Sequence, residues 1–258
     1  MNNISVSVSD NITTITLNRP EVMNAINHEM HHELQAAFDG FAKDDEQLIC
    51  VVTGSGRKAF CAGSDLKAAV TEGHKGYPVN GYAGLIERFD LDKPIIAAVN
   101  GFALGGGFEV ALACDIIIAS DNAGFGLPEP LVGAVALGGG LHRLARQIGL
   151  KQAMGMVLTS RRVSAAEALR LGFVNAVVPE AELKSEVARW CDDILRASPM
   201  SIRASKQTIH RGLEETGVAA AMARQSDYPA FAAWQNSEDA REGPLAFAEK
   251  RPPQWKGR

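Results

Sequence analysis

One stretch near the middle of the chain constrains the fold more than any other. It begins with the apolar run Ile95-Ile96-Ala97-Ala98-Val99, passes through three glycines at 105–107, and continues as Phe108-Glu109-Val110-Ala111-Leu112. The β-branched run predicts a buried strand, and the apolar spacing after the glycines predicts a helix. The pattern is therefore a strand, a glycine turn and the start of a helix.

The start of this helix is also a candidate site. The first N–H groups of a helix have no partner within it, and glycines allow a ligand to approach the backbone closely. Such a helix start attracts negative charge. A glycine triplet alone could equally be a tight packing turn. Glu109 favours a functional site over a packing turn, because it places a carboxylate in the first helical turn, beside the expected anion site.

Composition limits the class of protein. With 258 residues, 46% hydrophobic and 22% charged, the chain can bury a large core as one domain or as one domain with a small appendage. A net charge of −4 argues against a protein that grips nucleic-acid backbones. The four cysteines are widely spaced without a Cys-x-x-Cys pair, which favours buried thiols in a reducing compartment.

The termini and the apolar runs bear on location. The N-terminal stretch lacks the pattern of a signal peptide, and no apolar run reaches the length needed to cross a membrane. We therefore expect a cytoplasmic protein with neither a membrane nor a nucleic-acid partner.

The first part of the chain alternates strands and helices. We predict a hairpin over 4–17, a helix capped by Asn27, a strand over 48–53 and a short helix over 85–89. The stretch over 71–84, which contains Tyr77 and Tyr82, is irregular and is expected to form a mobile flap over the site. A strand over 116–119, a helix opened by the glycines at 138–140, a helix capped by Ser164 and a strand over 174–178 follow the central stretch. This order predicts right-handed parallel crossovers.

Beyond Pro179 the patterns are helical only, over 182–195, 202–213, 218–234 and 238–250. We therefore predict an α/β core over residues 1–180 and a helical C-terminal region over residues 181–258. Periodicity alone does not distinguish this core from a doubly wound sheet.

Two segments carry a resemblance to a known family. Phe60-Cys61-Ala62-Gly63-Ser64-Asp65-Leu66 and the segment from Asn100 to Glu109 closely resemble the two signature segments of the crotonase (enoyl-CoA hydratase/isomerase) superfamily. The likeness runs over nearly the whole chain and is strongest to the carnitinyl-CoA dehydratase branch. It implies an α/β fold built as a spiral of ββα units with a C-terminal helical trimerisation region, and assembly as a homotrimer or a dimer of trimers.

The resemblance implies acyl-CoA chemistry. In this superfamily two backbone N–H groups hold the thioester oxygen, and the matching positions here are Ala62 and Gly106. Hydratases of the family keep two glutamates, which match Glu109 and Glu129. The implied activity is that of a hydro-lyase adding water to, or removing it from, a short or carnitine-type trans-2-enoyl-CoA. No separate cofactor is implied, because the substrate carries the coenzyme A.

Binding of the coenzyme A portion is also implied by the resemblance. The loop Ala62, Gly63, Ser64, Asp65 and Leu66 would cup the adenine end, with Lys67 beside it. Phe247 and Lys250 would reach the coenzyme A of a neighbouring subunit. Lysines at these positions could equally be solvated surface charges.

One segment departs from the family pattern. Val135-Ala136-Leu137 stands where Ile-Pro-Gly is usual before the glycines at 138–140. Since that segment lies beside the catalytic water in the family, the added bulk of Leu137 is expected to affect substrate choice more than reaction type.

Other functions remain open at this point. A Δ3-Δ2-enoyl-CoA isomerase would need only one acid/base group, and a dehalogenase would use an aspartate nucleophile with a histidine. An RNA-binding crotonase-like protein would need a lysine-rich helical face, but the first predicted helix has no lysine before Lys43. A catalytically silent scaffold would not need both glutamates. His28 and His32 have the spacing of a metal pair without an evident third ligand, so no metal site is expected.

Overall fold

The computed structural model describes residues 2–73 and 75–258, and the side chains of residues 69 and 72 are outside this description. The chain divides into two compact units. The first comprises Met1–Arg88 and Ile95–Ala188, and the second comprises Phe89–Pro94 and Arg189–Arg258.

The first unit contains all ten strands of the described residues, which form two sheets. The strands are β1 (Ile4–Ser9), β2 (Ile12–Leu17), β3 (Ile49–Gly54), β4 (Ala59–Cys61), β5 (Ile95–Val99), β6 (Phe102–Leu104), β7 (Ile116–Ser120), β8 (Gly124–Gly126), β9 (Val163–Ser164) and β10 (Ala176–Val178). The larger sheet has the order β1-β2-β3-β5-β7-β10, and the smaller has the order β4-β6-β8-β9. All pairs are parallel except β1 with β2 and β8 with β9.

The helices follow the strands in a repeating order. They are α1 (His28–Lys43), α2 (Leu66–Glu72), α3 (Gly106–Ala113), α4 (Gly140–Ile148), α5 (Leu150–Thr159), α6 (Ala165–Leu171), α7 (Leu183–Leu195), α8 (Pro199–Gly212), α9 (Val218–Arg224), α10 (Pro229–Gln235) and α11 (Glu238–Glu249). Three times a strand of the larger sheet is followed by one of the smaller sheet and then by a helix: β3-β4-α2, β5-β6-α3 and β7-β8-α4. This confirms the predicted ββα spiral.

The core of the first unit lies between the larger sheet and its helices. Strand β5 is buried along its whole length, as its continuous apolar run predicts. Helix α1 buries Met30, Leu34, Phe38 and Phe41, which recur every three or four residues. The Asn27 side chain accepts the Met30 N–H at 2.9 Å, which confirms the predicted N-cap.

The second unit is helical among the residues that the structure describes. The short segment Phe89–Pro94 belongs to it, because Gln207 donates to the Asp92 carboxylate at 2.8 Å and Lys206 donates to the Lys93 carbonyl at 2.9 Å. The C-terminal tail is fastened to the same unit, since Asp239 accepts the N–H groups of Lys256 and Gly257.

Two predicted helices are wrong. Residues 85–89 form a turn, because Ala83 adopts a left-handed φ of 56° and Gly84 packs so tightly that a Cβ there would lie 2.5 Å from the Gln35 Cα. The helix predicted over 218–234 is interrupted at Tyr228 (ψ 136°), because Pro229 disfavours helical geometry at the preceding residue. Within the described residues, no helix has both the length and the apolar character to cross a membrane.

Candidate active site

The start of helix α3 forms one side of the candidate site. Gly105 adopts a φ of 55°, and the helix begins at Gly106. A Cβ on Gly106 would overlap the phenol of Tyr82, and a Cβ on Gly107 would overlap the carbonyl of Cys61. The N–H of Gly106 finds no acceptor among the described residues, as expected for the first residue of a helix. It remains available to a ligand.

The loop after β4 forms the second side. Backbone hydrogen bonds connect it to residues 23–26. The Ile26 N–H donates to the Gly63 carbonyl at 2.8 Å, and the Asp65 N–H donates to the Ile26 carbonyl at 2.9 Å. Gly63 has a φ of 92°, and a Cβ there would lie 2.9 Å from the Leu104 carbonyl oxygen. The same Cβ would lie 3.1 Å from the Gly106 nitrogen, so the loop and the helix start are in contact.

These backbone hydrogen bonds contradict the predicted role of Ala62. The N–H of Ala62 donates to the Met23 carbonyl at 3.0 Å, so it is not available for a thioester oxygen. Ser64, two residues later, is exposed and forms a parallel bridge with Ile26. In that bridge the hydrogen bonds come from its neighbours, and within the described chain the Ser64 N–H has no acceptor. Ser64, rather than Ala62, presents a free backbone donor.

Glu109 lies in the first turn of α3 and is buried, with 3% of its surface exposed. Its Oε1 accepts the Gly140 N–H at 2.9 Å. A Cβ on Gly138 would lie 2.5 Å from its Oε2, and one on Gly140 would lie 2.8 Å from its Cγ. The glycines at the start of α4 therefore leave space for the Glu109 side chain, and the Gly140 N–H donates a hydrogen bond to it.

The electrostatics of Glu109 suit proton transfer near neutral pH. Burial raises the pKa of Glu109 to about 7, with the charge of Glu129 adding to this rise. Hydrogen bonds from the N–H groups of Gly140 and Gly138, and the charge of Arg143, act in the opposite direction. The Glu109 carboxyl can therefore both release and accept a proton at physiological pH.

Glu129 approaches the same helix start from the 3-10 helix Glu129–Val132. A Cβ on Gly105 would lie 3.0 Å from its Oε1, so Glu129 is close to the turn that precedes α3. Its Oε2 is buried, and it has no hydrogen-bond partner among the described residues. Burial raises the pKa of Glu129. A buried carboxylate oxygen without a partner is suited to a ligand or to a water molecule.

Two aromatic residues of the predicted flap, Tyr77 and Tyr82, lie beside this site, and residue 74 of the same stretch lies outside the described residues. The hydroxyl of Ser64 donates to the Tyr82 hydroxyl at 3.2 Å. The Tyr82 ring packs edge-on against His31, with centroids 4.6 Å apart, and against Tyr77 at 5.6 Å. His31 in turn accepts the Ala83 N–H through Nδ1 at 2.9 Å. The flap prediction did not specify the contacts of these tyrosines with Ser64 and His31.

Among the other residues of this loop, one is ion-paired, one is buried and two are exposed. Arg19 donates to the Asp65 carboxylate at 2.9 Å. Burial alone would raise the pKa of Asp65, but the Ala68 N–H and Arg19 outweigh it and the pKa is lowered. Leu66 and Lys67 are exposed at the start of α2. Cys61 is buried, and burial raises the pKa of its thiol to about 12, so it stays protonated.

The other predicted residues belong to other segments of the chain. Phe247 and Lys250 are exposed near the end of α11 in the second unit, Phe247 to the extent of 88%. Leu137 is exposed, and its N–H donates to the Val135 carbonyl at 2.9 Å. His28 and His32 stack edge-on at 4.7 Å, and the described residues contain no group of three potential metal ligands.

Comparison with known proteins places this arrangement in a family. The sequence profile of a family described as enoyl-CoA hydratase/isomerase matches residues 7–258. Carnitinyl-CoA dehydratase from Escherichia coli strain K12 is 45% identical over 252 residues, which cover 96% of this chain and 95% of that protein.

Solved structures agree with the sequence relatives. The crystal structure of enoyl-CoA hydratase from Mycobacterium tuberculosis H37Rv superposes with a TM-score of 0.92 at 36% identity and covers 100% of both chains. That of carnitinyl-CoA hydratase from Mycobacterium avium gives a TM-score of 0.78 at 40% identity, again over 100% of both chains. The chain therefore belongs to the enoyl-CoA hydratase/isomerase family.

Proposed function

We propose that this protein adds water to, or removes it from, a trans-2-enoyl-CoA whose acyl group is short or carnitine-type. The observation that carries this proposal is the pair Glu109 and Glu129, two carboxyls with raised pKa values on either side of a helix start with a free N–H. The names of the sequence relatives support the choice of acyl group.

The thioester oxygen is held by the N–H groups of Ser64 and Gly106. Both groups lack acceptors among the described residues, and their loops meet at Gly63. The oxygen becomes negative when water attacks the β-carbon, and fixed backbone donors stabilise that charge without reorganisation. In other enzymes, the loss of one such donor costs about 3–4 kcal/mol.

The two carboxyls share one proton. Addition of water needs one group that accepts a proton from water and another that delivers a proton to the α-carbon. Because each buried charge disfavours the other, the singly protonated pair is the form expected near neutral pH. In dehydration the same two transfers run in reverse.

Coenzyme A binds along the loop 62–67, with Phe247 and Lys250 supplied by a neighbouring subunit of a homotrimer or a dimer of trimers. The exposed apolar side chains of the second unit support assembly: Ile209, Leu213, Val218, Met222, Leu245 and Phe247. Light scattering should therefore give a trimer or hexamer mass at micromolar concentration. A monomer mass would reject the assembly.

A panel of acyl-CoAs tests the activity. Crotonyl-CoA, crotonobetainyl-CoA, longer and aryl enoyl-CoAs are mixed with the protein, and loss of the conjugated-thioester absorbance is followed together with the mass gain of one water. We expect hydration of at least one short or carnitine-type member. If none gains water while another acyl-CoA is isomerised or hydrolysed, the assignment is wrong.

Isomerisation of a Δ3-enoyl-CoA is the second candidate, and one asymmetry favours it. The Oε2 of Glu129 has no partner within the described chain, whereas Glu109 is bound by backbone N–H groups. One carboxylate carrying a proton between the α- and γ-carbons would suffice for this reaction. A 3-enoyl-CoA in the same panel distinguishes it, because isomerisation creates the conjugated absorbance without a mass change.

A further inference from the structure

Ser64 and Tyr82 form a hydroxyl pair at the point where the two free backbone donors meet. The Ser64 hydroxyl donates to the Tyr82 hydroxyl at 3.2 Å. The Tyr82 phenol also lies against the Gly106 Cα, where a Cβ would overlap its oxygen. One phenol therefore contacts both residues whose N–H groups hold the thioester oxygen in the proposed function.

A count of protons shows that the pair is incomplete. Two hydroxyls carry two protons, and each oxygen can donate once and accept twice. One proton is used in the bond between them, and the described residues offer no acceptor for the other. Tyr82 is only 4% exposed, so bulk water is not a ready partner. A buried hydroxyl proton without a protein acceptor can donate a hydrogen bond to a bound ligand.

We propose that the Ser64–Tyr82 hydroxyl pair donates a third hydrogen bond to the thioester oxygen, beside the N–H groups of Ser64 and Gly106. This rests on the proposed function, because it assigns a further catalytic group to the same oxygen. The ligand is the carbonyl of a conjugated acyl thioester, which gains negative charge as it becomes an enolate.

The environment keeps this donor neutral. Burial is the main cause of a Tyr82 pKa well above its ordinary range, with Cys61 adding to it. The phenol therefore retains its proton at every pH at which the carboxyl pair is active. The rings of His31 and Tyr77 pack edge-on against Tyr82 and hold its orientation.

The test removes each hydroxyl while keeping the shape of the site. Tyr82→Phe and Ser64→Ala are compared with wild type for kcat and KM on the enoyl-CoA that wild type hydrates best. Tyr228→Phe is the matched control, since it removes a buried hydroxyl of the second unit that has no hydrogen-bond partner among the described residues. Hexadienoyl-CoA serves as a binding probe, because the absorbance of a conjugated thioester shifts to longer wavelength as its carbonyl is polarised.

We expect Tyr82→Phe to lower kcat by at least about tenfold, less than the roughly hundredfold to thousandfold loss of a main oxyanion donor, because the two backbone donors remain. It should also reduce the red shift of bound hexadienoyl-CoA while its affinity changes little. The kcat of the variant that combines Tyr82→Phe with Ser64→Ala should be no lower than that of Tyr82→Phe, because the two hydroxyls act as a unit. The control should stay within about twofold of wild type, because the Tyr228 hydroxyl has no part in the proposed site.

Three results overturn the proposal. An unchanged kcat and red shift in Tyr82→Phe would show that the phenol makes no bond to the carbonyl. A higher kcat would show that the phenol obstructs the site. If wild type hydrated no enoyl-CoA, the proposed function would fail. The red shift tests the third donor even in that case, because an equal red shift in wild type and Tyr82→Phe would reject it.

Discussion

The chain contains two Gly-Gly-Gly triplets, at 105–107 and 138–140, and both lie at the start of a helix. At the first, the Gly106 N–H has no acceptor within the described part of the chain. At the second, the Gly140 N–H is bound by the carboxylate of Glu109. The same sequence motif thus leaves a backbone donor free in one place and binds a protein side chain in the other.

The difference comes from what lies opposite each triplet. Glu109 extends from α3 into the second triplet, so a Cβ at Gly138 or Gly140 would clash with it. The first triplet faces Tyr82, the carboxylate of Glu129 and the loop at Gly63, none of which accepts the Gly106 N–H. A glycine-rich helix start is therefore an anion site only where no protein carboxylate already fills it.

The largest expected effect comes from the first triplet. Gly106→Pro removes the free N–H and also adds a Cβ that overlaps the Tyr82 phenol. Turnover of an enoyl-CoA should therefore fall at least roughly a hundredfold to a thousandfold, the loss expected for an oxyanion donor alone. Stopped-flow or steady-state absorbance measures the loss, and circular dichroism verifies the fold. Retention of more than half the activity would show that this N–H does not hold the substrate.

A smaller effect is expected from the second triplet. Gly138→Ala places a Cβ 2.5 Å from the Glu109 Oε2 and must displace the carboxylate. Because a catalytic group misplaced by about 1 Å can lose a hundredfold, kcat should fall between about tenfold and a hundredfold. The matched control is Gly155→Ala in α5, where a Cβ meets nothing within 4 Å, so its activity should equal wild type. Equal losses in both variants would contradict a specific role for Gly138.

The smallest of these effects is expected in the pH dependence of kcat/KM, which should show that the two carboxyls share one proton. The pair is active when singly protonated, so kcat/KM should fall as pH rises above about 7, where Glu109 loses its proton. It should also fall in acid, as Glu129 becomes protonated. The residual activity of Glu109→Gln should lack the alkaline limb. A profile unchanged by that substitution would rule out this assignment.

Local patterns predicted much of the fold. The buried strand β5, the cap at Asn27 and the helix start at Gly106 all follow from residues within one element. The break at Tyr228-Pro229 could also have been predicted, since the proline is visible in the sequence. By contrast, the turn after Gly84 depends on tight packing against Gln35, which no local pattern records.

The site shows the same limit. The motifs predict Glu109 and Glu129 at the site, and both lie at the start of α3. The same motifs predict Ala62 as a donor, but its N–H donates to the Met23 carbonyl. In a parallel bridge, alternate N–H groups face the neighbouring segment, so the free donor depends on the register with residues 23–26. That register is a tertiary contact between distant parts of the chain, and the loop sequence does not contain it.

The proposed reaction depends most on Glu109 and Glu129 acting as one acid/base unit. Its most direct test is kcat/KM for Glu109→Gln, Glu129→Gln and the double variant on the best enoyl-CoA. Each single change should lower turnover by roughly a hundredfold or more, and the double change should fall well short of the product of the two. Acyl-CoA binding should survive in all three, because backbone donors hold the thioester. An unchanged turnover in Glu109→Gln would contradict the account and favour a one-carboxylate isomerase.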